Sequence, residues 1–513
     1  MMVYTSPLPD IDVPNSLLGP FVLQHAERLA NEPALVDGVN GRSLTFAELQ
    51  GEVMALAGGL AAKGFGKGDV LALMAPNIPE YAVAFHGTAW AGGSVTTINP
   101  TYTAGEVKHQ LKDSGARILV TVSMFLGIAR EAAEGTDVES VFTIDESDAP
   151  NVTELMGTPL TEQAAADVND VVTLPYSSGT TGLSKGVMLT HRNLIANLVQ
   201  TAAMLPISEG ETVLAFLPFF HIYGMQVLMN GALFQGGKVV TMPRFDLEQF
   251  LSLAQDHKVE RAFVAPPIVL ALAKHPLVDH YDLSALKSVF SGAAPLGAEL
   301  AQEAGARLGC EVVQGYGMTE LSPVSHATPE GQFKPGTIGV LAPSTESRIV
   351  DPDTGNDLGE DEDGEVWVRG PQVMPGYLNN ESATASTIDT DGWLHTGDVG
   401  HVDKDGHFTI VDRLKELIKY KGFQVPPAEL EALLVTHPAI ADAAVIGIPD
   451  DEAGELPKAF ITLKDGVEAS AEDIQSFVAD QVASYKQIRL LEFVPEIPKS
   501  ASGKILRRML RDN

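Results

Sequence analysis

What most limits the folds open to this chain is a rhythm. From about Val70 onward, short apolar runs alternate with helical patterns, and several runs end directly in Gly, Ser or Pro. In chain order the runs are "VLALMAP", "RILVTVS", "SVFTID", "VVTLPYSS", "TVLAFLPF", "KVVTMP", "RAFVAPP", "KSVFSGAAP" and "EVVQGYG". Short, nearly unbroken apolar strands separated by helices predict parallel sheets with helices on their faces. The Gly, Ser and Pro clusters then fall at the carboxyl ends of strands, where open α/β sheets bind ligands.

After about Gly336 the rhythm changes to short strands with acidic turns, as in "ESRIVDPDTGNDLGEDEDGEVWVRG" and "GHFTIVD", which predicts a β-rich lobe over about 336–412. "DRLKELIKYKGFQV", Asp412 to Val425, then brings four cations into fourteen residues. Beyond it "PAELEALLVTH", "DAAVIGI", "KAFITL", "AEDIQSFVADQV" and "RLLEFV" read as helix, strand, strand, helix, strand. The expected fold class is α/β, with a large N-terminal domain of helix-covered, mainly parallel sheets over 1–412, the lobe included. A small mobile α+β domain succeeds it over 413–513, with a hinge at 413–415. A length of 513 residues agrees, being too great for one core.

Charge narrows the function. Acidic residues outnumber basic ones 67 to 34, a formal charge of −33 that repels nucleic acids and anionic lipid surfaces. An anionic ligand must therefore be caught where cations gather: at 412–425 and at Tyr485 to Arg511, which holds seven Lys or Arg and two Glu. Cys310 is the only cysteine, which excludes an intrachain disulfide and a Cys-based zinc site. The start "MMVYTSPLPDIDVP" carries no secretion signal, so a cytoplasmic location is the expectation. Val213 to Gly237 is free of Lys, Arg, Asp and Glu and long enough to span a bilayer. Its Pro218, His221, Gln226, Asn230 and Gln235 fit a buried strand, a turn and a short core helix better.

"YSSGTTGLSKGV", Tyr176 to Val187, is where chemistry concentrates. A glycine-rich loop after a strand turns backbone N–H groups toward a polyanion; its hydroxyls add donors and one lysine neutralises charge. It is not the Walker pattern, because Leu183 follows Gly182 and Gly186 follows Lys185. On composition alone, a phosphate cradle and a surface loop with an incidental lysine both remain open.

The ordered string resembles the phosphate-binding signature of the adenylate-forming superfamily, which includes acyl-CoA synthetases, peptide-synthetase adenylation domains and beetle luciferases. "LPFFHIYG" (217–224), "SGAAPLG" (291–297), "QGYGMTE" (314–320), "GWLHTGD" (392–398), "VDRLKELIKYKGFQV" (411–425) and "PKSASGK" (498–504) resemble its successive signatures. The details are most similar to the branch of 4-coumarate:CoA ligases and related aryl or fatty acyl-CoA ligases.

The resemblance implies an ATP-dependent acid:CoA ligase using ATP, Mg²⁺ and coenzyme A, working as a monomer or homodimer without stable membrane insertion. It implies that Ser177, Ser178, Gly179, Thr180, Thr181, Gly182 and Lys185 hold the phosphates. Gly292, Ala293, Ala294, Gln314, Gly315, Tyr316, Gly317, Met318, Thr319, Asp398, Val411 and Arg413 would line the nucleoside side, with Tyr316 on adenine and Asp398 on the ribose hydroxyls. Glu320, with Thr181, would hold Mg²⁺, a hard cation that favours oxygen ligands. Lys504 is the implied adenylation lysine. Lys419, Gln424 and the coenzyme A face of Lys421, Gly422 and Phe423 would replace it after rotation about Lys415. "QGYGMTE" ends in Glu320 where a dinucleotide fingerprint has glycine, so a Rossmann reading fails.

For the acid the resemblance indicates His221, Ile222, Tyr223, Gly224, Gln226, Phe263, Phe290, Gly292, Ala293, Gly315, Pro323, Val324 and Ser325. These are mostly apolar walls suited to a planar or aliphatic acyl group. Plant coumarate ligases show Asn and Lys near the positions of Gln226 and Phe290, so a cinnamate-like acid without the phenolic hydroxyl fits better than 4-coumarate. A fatty acid, or transfer to an acceptor other than coenzyme A, stands as the alternative. His221 is expected to gate the thiol path or to be a satisfied core histidine.

Overall fold

The computed structural model describes residues 2–177, 184–421, 423–450, 452–500 and 503–511. Every one of the nine apolar runs forms a strand. Val70–Met74, Ser94–Thr97, Ala116–Thr121, Ser140–Thr143 and Val171–Ser177 run parallel in a seven-stranded sheet whose far edge turns antiparallel through Lys185–Thr190 and Gly376–Tyr377. Ser94–Thr97 is not expected from sequence, since Val95 is its only strongly apolar residue. Thr96 is nevertheless fully buried, its hydroxyl donating to the Leu174 carbonyl at 2.9 Å, and a β-branched residue suits a strand once that hydroxyl is paired.

A second sheet carries Thr212–Ala215, Lys238–Thr241 and Pro33–Asp37 in parallel, with Ser43–Thr45 antiparallel. A third begins with Arg261–Val264, Ser288–Ser291 and Glu311–Gly317 in parallel and continues antiparallel through Val324–Ala327. One continuous apolar core, from Leu71 and Val95 through Val213 and Val240 to Phe263 and Val313, joins these three sheets. Within the uncharged stretch, Thr212–Ala215 is a strand, Tyr223–Asn230 winds as a π-helix and Gly231–Phe234 as α-helix. No described helix is long and apolar enough to cross a membrane.

The β-rich lobe is a five-stranded antiparallel sheet of Tyr4–Thr5, Glu346–Val350, Gly364–Arg369, Leu394–Val402 and Phe408–Arg413. It is not built from 336–412 alone. Tyr4–Thr5 enters from the start of the chain, and Gly376–Tyr377 leaves to edge the seven-stranded sheet. After Arg413 a separate sheet forms from Ile418–Tyr420, Phe423–Val425, Ile440–Asp450, Gly454–Leu463 and Leu490–Phe493. Pro427–Leu434 and Ala471–Ala479 pack on it around their own core of Ile418, Leu430, Val445, Ile461, Ile474 and Val478. The hairpin at 418–425 and the final helix Arg507–Arg511 are elements that the sequence pattern does not predict.

Candidate active site

Three parallel strands of the third sheet end in step, with Val264 beside Ser291 and Ser291 beside Gln314. The segments leaving these strands therefore emerge at one edge: Ala265 to Pro267, then Gly292 to Ala294, then Gly315 to Thr319. Ala293 holds a left-handed φ of 74°. Such strain in a residue with a Cβ survives where the surroundings over-determine it, as they do at functional sites.

The seven-stranded sheet brings its glycine-rich loop to the same place. Ser177 pairs with Lys185 across antiparallel strands, so the loop leaves and re-enters side by side. Ser178, Gly179, Thr180, Thr181 and Gly182 lie outside the described residues. Glu320, on the short 3₁₀ turn Thr319–Leu321, is buried. Its Oε1 accepts from the Ser177 hydroxyl at 3.0 Å and from the Tyr377 phenol at 2.8 Å. Lys185 Nζ stands 4.8 Å from the centre of the Tyr377 ring, a cation–π contact. Tyr377 thus touches both predicted groups, and sequence reasoning missed it. Its strand is two residues long, so no periodicity betrays it; "GY" before a capped helix was the only signal.

On the nucleoside side the Tyr316 phenol donates to Asp398 Oδ2 at 2.5 Å, and Arg413 Nε stands 3.7 Å from Asp398 Oδ1. Asp398 and Arg413 face each other across paired strands, with Val411 two residues before Arg413. Burial raises the Asp398 carboxyl, while Arg413, the Tyr316 hydrogen bond and Lys504 pull it down. Burial likewise pushes the Tyr316 phenol up. Gln314 is committed elsewhere, because its Oε1 accepts from Leu296 N at 3.0 Å.

Lys504 comes from the far end of the chain. Its turn is tied by Ser500 N to the Lys504 carbonyl at 2.8 Å and by an ion pair from Lys499 to Asp442 at 2.6 Å. Gly503 has a φ of 84°, and a methyl group on it would stand 3.4 Å from the Ala265 Cβ and 3.6 Å from Pro267 Cδ. The turn is therefore seated on the strand-end edge. Burial lowers the Lys504 ammonium, and so does Arg413, against the pull of Asp398, Glu320 and Glu416. The neighbouring His221 is lowered to about 3 by burial and then by Lys504. His221 Nδ1 accepts from Tyr223 N at 3.3 Å, which puts the proton of the neutral ring on Nε2.

The predicted acid-binding residues divide. Tyr223, Phe263, Phe290, Gly292 and Gly315 form one apolar wall. The Tyr223 phenol reaches the Val264 and Phe290 carbonyls at 3.5 and 3.4 Å, and a side chain on Gly292 would meet its ring at 3.1 Å. The Phe263 and Phe290 rings lie tilted against each other at 5.8 Å, and the Phe290 ring fills the space that a Gly315 side chain would need. Pro323 and Val324 close on Gly317 in the same way, and Gly224 lies against the Leu217 and Pro218 carbonyls. Gln226 stands apart. Its amide donates to the Leu194 carbonyl at 2.7 Å and its oxygen accepts from Asn230 at 3.1 Å, so both polar ends serve the buried core. That departs from the expected contact with the acid: a buried amide must first satisfy its own hydrogen bonds.

The second cation cluster points elsewhere. Lys415, Lys419, Lys421, Phe423 and Gln424 are exposed, and Gly422 lies outside the described residues. The Phe423 ring stacks on Tyr485 at 4.6 Å, and the amide of Lys419 donates to Glu455 at 2.8 Å. Behind the Lys504 turn, Arg507 bonds Glu416 at 2.5 Å and Glu431 at 2.7 Å.

Comparison with known proteins agrees with this geometry. The AMP-binding enzyme family model matches residues 22–378, and the AMP-binding enzyme C-terminal domain model matches 429–504. The chain is 45% identical to 4-coumarate-CoA ligase 3 of Oryza sativa subsp. japonica, covering 100% of this chain and 95% of that protein. Among solved structures, the anthranilate CoA ligase AuaEII in complex with anthranoyl-AMP superposes with a TM-score of 0.91 at 27% identity, over 98% of both chains. The amide bond synthetase McbA from Marinactinospora thermotolerans gives 0.86 at 26% identity, over 96% of this chain and 99% of that one.

Proposed function

This chain belongs to the AMP-binding enzyme family, and on that premise we propose that it is an ATP-dependent carboxylic acid:CoA ligase. A cinnamate-like or other aryl acid first forms an acyl-adenylate and pyrophosphate; coenzyme A then takes the acyl group as a thioester and AMP leaves. The observation that carries the reading is one strand-end edge where Glu320, Lys185, Asp398 and Lys504 gather from four distant stretches of chain.

The two reactants are both anions, so their meeting needs fixed positive charge more than covalent help. Lys185 lies on Tyr377 within reach of the loop that would cradle the β and γ phosphates. Lys504 is desolvated, which costs free energy until an anion pairs with it. A carboxylate and an α-phosphate arriving together relieve that cost, most of all when charge builds between them. Asp398 would exchange its tyrosine partner for the ribose hydroxyls, and Arg413 would steady it. With its ring neutral near pH 7, His221 serves as a hydrogen-bonding gate rather than as a cation.

Among the described residues no three His, Cys, Asp or Glu side chains gather into a metal cage. One buried carboxylate held by two hydroxyls suits Mg²⁺ instead, a cation commonly bound through one or two carboxylates plus substrate phosphates. Glu320 would hold it, with Thr181, and the ion would neutralise phosphate charge when bound. For the second step the 1–412 and 413–513 units would reorient about Lys415, bringing Lys419, Lys421, Gly422, Phe423 and Gln424 inward for coenzyme A. The aryl preference rests on the Tyr223, Phe263 and Phe290 wall. A phenylalanine at 290, where coumarate ligases carry lysine, leaves a phenolic hydroxyl without a charged partner there.

The test is an acid panel with MgATP, with and without coenzyme A, following pyrophosphate, AMP and thioester. Cinnamate or benzoate consumed to thioester is the expected result. Turnover of octanoate alone would move the substrate to the aliphatic class. Acyl-adenylate formed with no coenzyme A-dependent turnover would favour an amine acceptor, in keeping with the likeness to McbA. No AMP from any acid overturns the proposal.

A further inference from the structure

One carboxylate outside the site is bonded to both of the strands that frame it. Asp113 lies in the last turn of the helix Ala104–Ser114, which begins with a Thr103–Glu106 capping box and closes on Gly115 at a left-handed φ of 64°. An anion there opposes the helix dipole, whose negative end is the carboxyl terminus. The helix itself gains nothing from Asp113, and the compensation lies in what Asp113 binds. Its Oδ2 accepts from the Tyr176 phenol at 2.7 Å. Its Oδ1 and its carbonyl accept from the Asn379 amide at 3.3 and 3.0 Å.

Those two partners adjoin the machinery on opposite sides. Tyr176 precedes Ser177, whose hydroxyl holds Glu320. Its ring packs against Gly186, which pairs with it across the root of the glycine-rich loop: a methyl group at Gly186 would stand 3.0 Å from the ring. Asn379 stands two residues after Tyr377, which holds the same Glu320 oxygen and carries Lys185 on its face. Between them, Leu378 N donates to the Gly186 carbonyl at 2.8 Å. The helix end, the strand entering the loop and the strand beside its exit therefore share one carboxylate.

We propose that Asp113 is a positioning residue for the nucleotide: through Tyr176 and Asn379 it holds Ser177 and Tyr377 at the spacing that Glu320 and Lys185 need to receive a triphosphate. This rests on the proposed nucleotide binding. Asp113 touches no reacting atom. It acts by fixing where two hydroxyls converge, and a displacement of about 1 Å at such a support is enough to cost binding and rate. Among the described residues the Tyr176 phenol and the Asn379 amide have no hydrogen-bond partner besides Asp113, so their orientation depends on this node.

The experiment is a double-mutant cycle on the full chain, with Asp113→Ala, Tyr176→Phe and both together. It reads the calorimetric Kd for α,β-methylene-ATP with Mg²⁺, the KM for cinnamate and the melting temperature. Expected are about tenfold weaker nucleotide binding in each single variant and a double variant no weaker than the worse single one. The KM for the acid and the melting temperature should stay close to wild type. Equal loss for nucleotide and acid together with a lowered melting temperature would make Asp113 merely structural and overturn the inference. So would additive single effects, or unchanged nucleotide affinity. A wild-type protein that fails to bind the analogue would defeat the nucleotide reading itself, and this inference with it.

Discussion

Two hairpin turns of the region after Arg413 carry its two cation clusters, and they stand in opposite conditions. The turn at 498–506 is pressed onto Ala265 and Pro267 and delivers Lys504 to a half-buried position among Asp398, Glu320 and Arg413. The hairpin of Ile418–Tyr420 and Phe423–Val425 holds Lys419, Lys421 and Gln424 out in solvent, with Phe423 54% exposed. A buried ammonium is costly unless an anion joins it, whereas an exposed one costs nothing and contributes little. The docked turn is the one poised for chemistry, and the exposed hairpin is held in reserve.

The sharpest way to break this contrast is Lys504→Ala. Loss of a cation that acts where charge develops should lower acyl-adenylate formation by about 10²–10³-fold. Thioester formation from supplied acyl-adenylate should stay near wild type. Equal losses in both half-reactions by a folded variant would mean that the two turns do not divide the work. Lys419→Ala should give the mirror result on a smaller scale, about tenfold in the thioester step with adenylation spared, the worth of one hydrogen bond from a charged donor. Stopped-flow measurement of each half-reaction decides both.

The smallest effect sharpens the comparison between the regions on either side of Arg413. Burial lowers His86 and His191 to about 4 and His326 to about 3, all before Arg413. Each is neutral in the fold but takes a proton in the unfolded chain below about 6.5. Stability from these groups is therefore present above that pH and lost as pH falls toward 4. After Arg413 the sign reverses: burial pushes Glu431 up to about 7 against the pull of Arg507. The folded state then binds the proton more readily, so this contribution rises as pH falls from 7 to 4.5. All three tryptophans, Trp90, Trp367 and Trp393, precede Arg413, so their fluorescence reports only the first region. Hydrogen exchange at Val445 and Ile461 reports the second. Matching pH profiles for the two would contradict these assignments.

Much of this was legible in the chain. The nine apolar runs are strands because local burial on both faces leaves an unbroken apolar signature. The loop ends were legible because breakers mark where strands stop. Ser94–Thr97 was hidden because its hydroxyls are satisfied only by a neighbouring strand. Tyr377 and Asp113 were hidden because their importance lies in partners 57 and 63 residues or more away. Gln226 was misread for the converse reason: as a polar residue beside a ligand motif it suggests contact with the acid, yet the core had already claimed both ends of its amide.

By itself the sequence determined the class of fold, the order of its loops and the kinds of group that could meet two anions, because periodicity, breakers and side-chain chemistry are local properties. Only the tertiary structure decided which groups meet. Glu320 and Tyr377, or Lys504 and Ala265, are brought together by strands ending in register and by a separate region docking on them, and such distances are set by packing across the chain rather than along it.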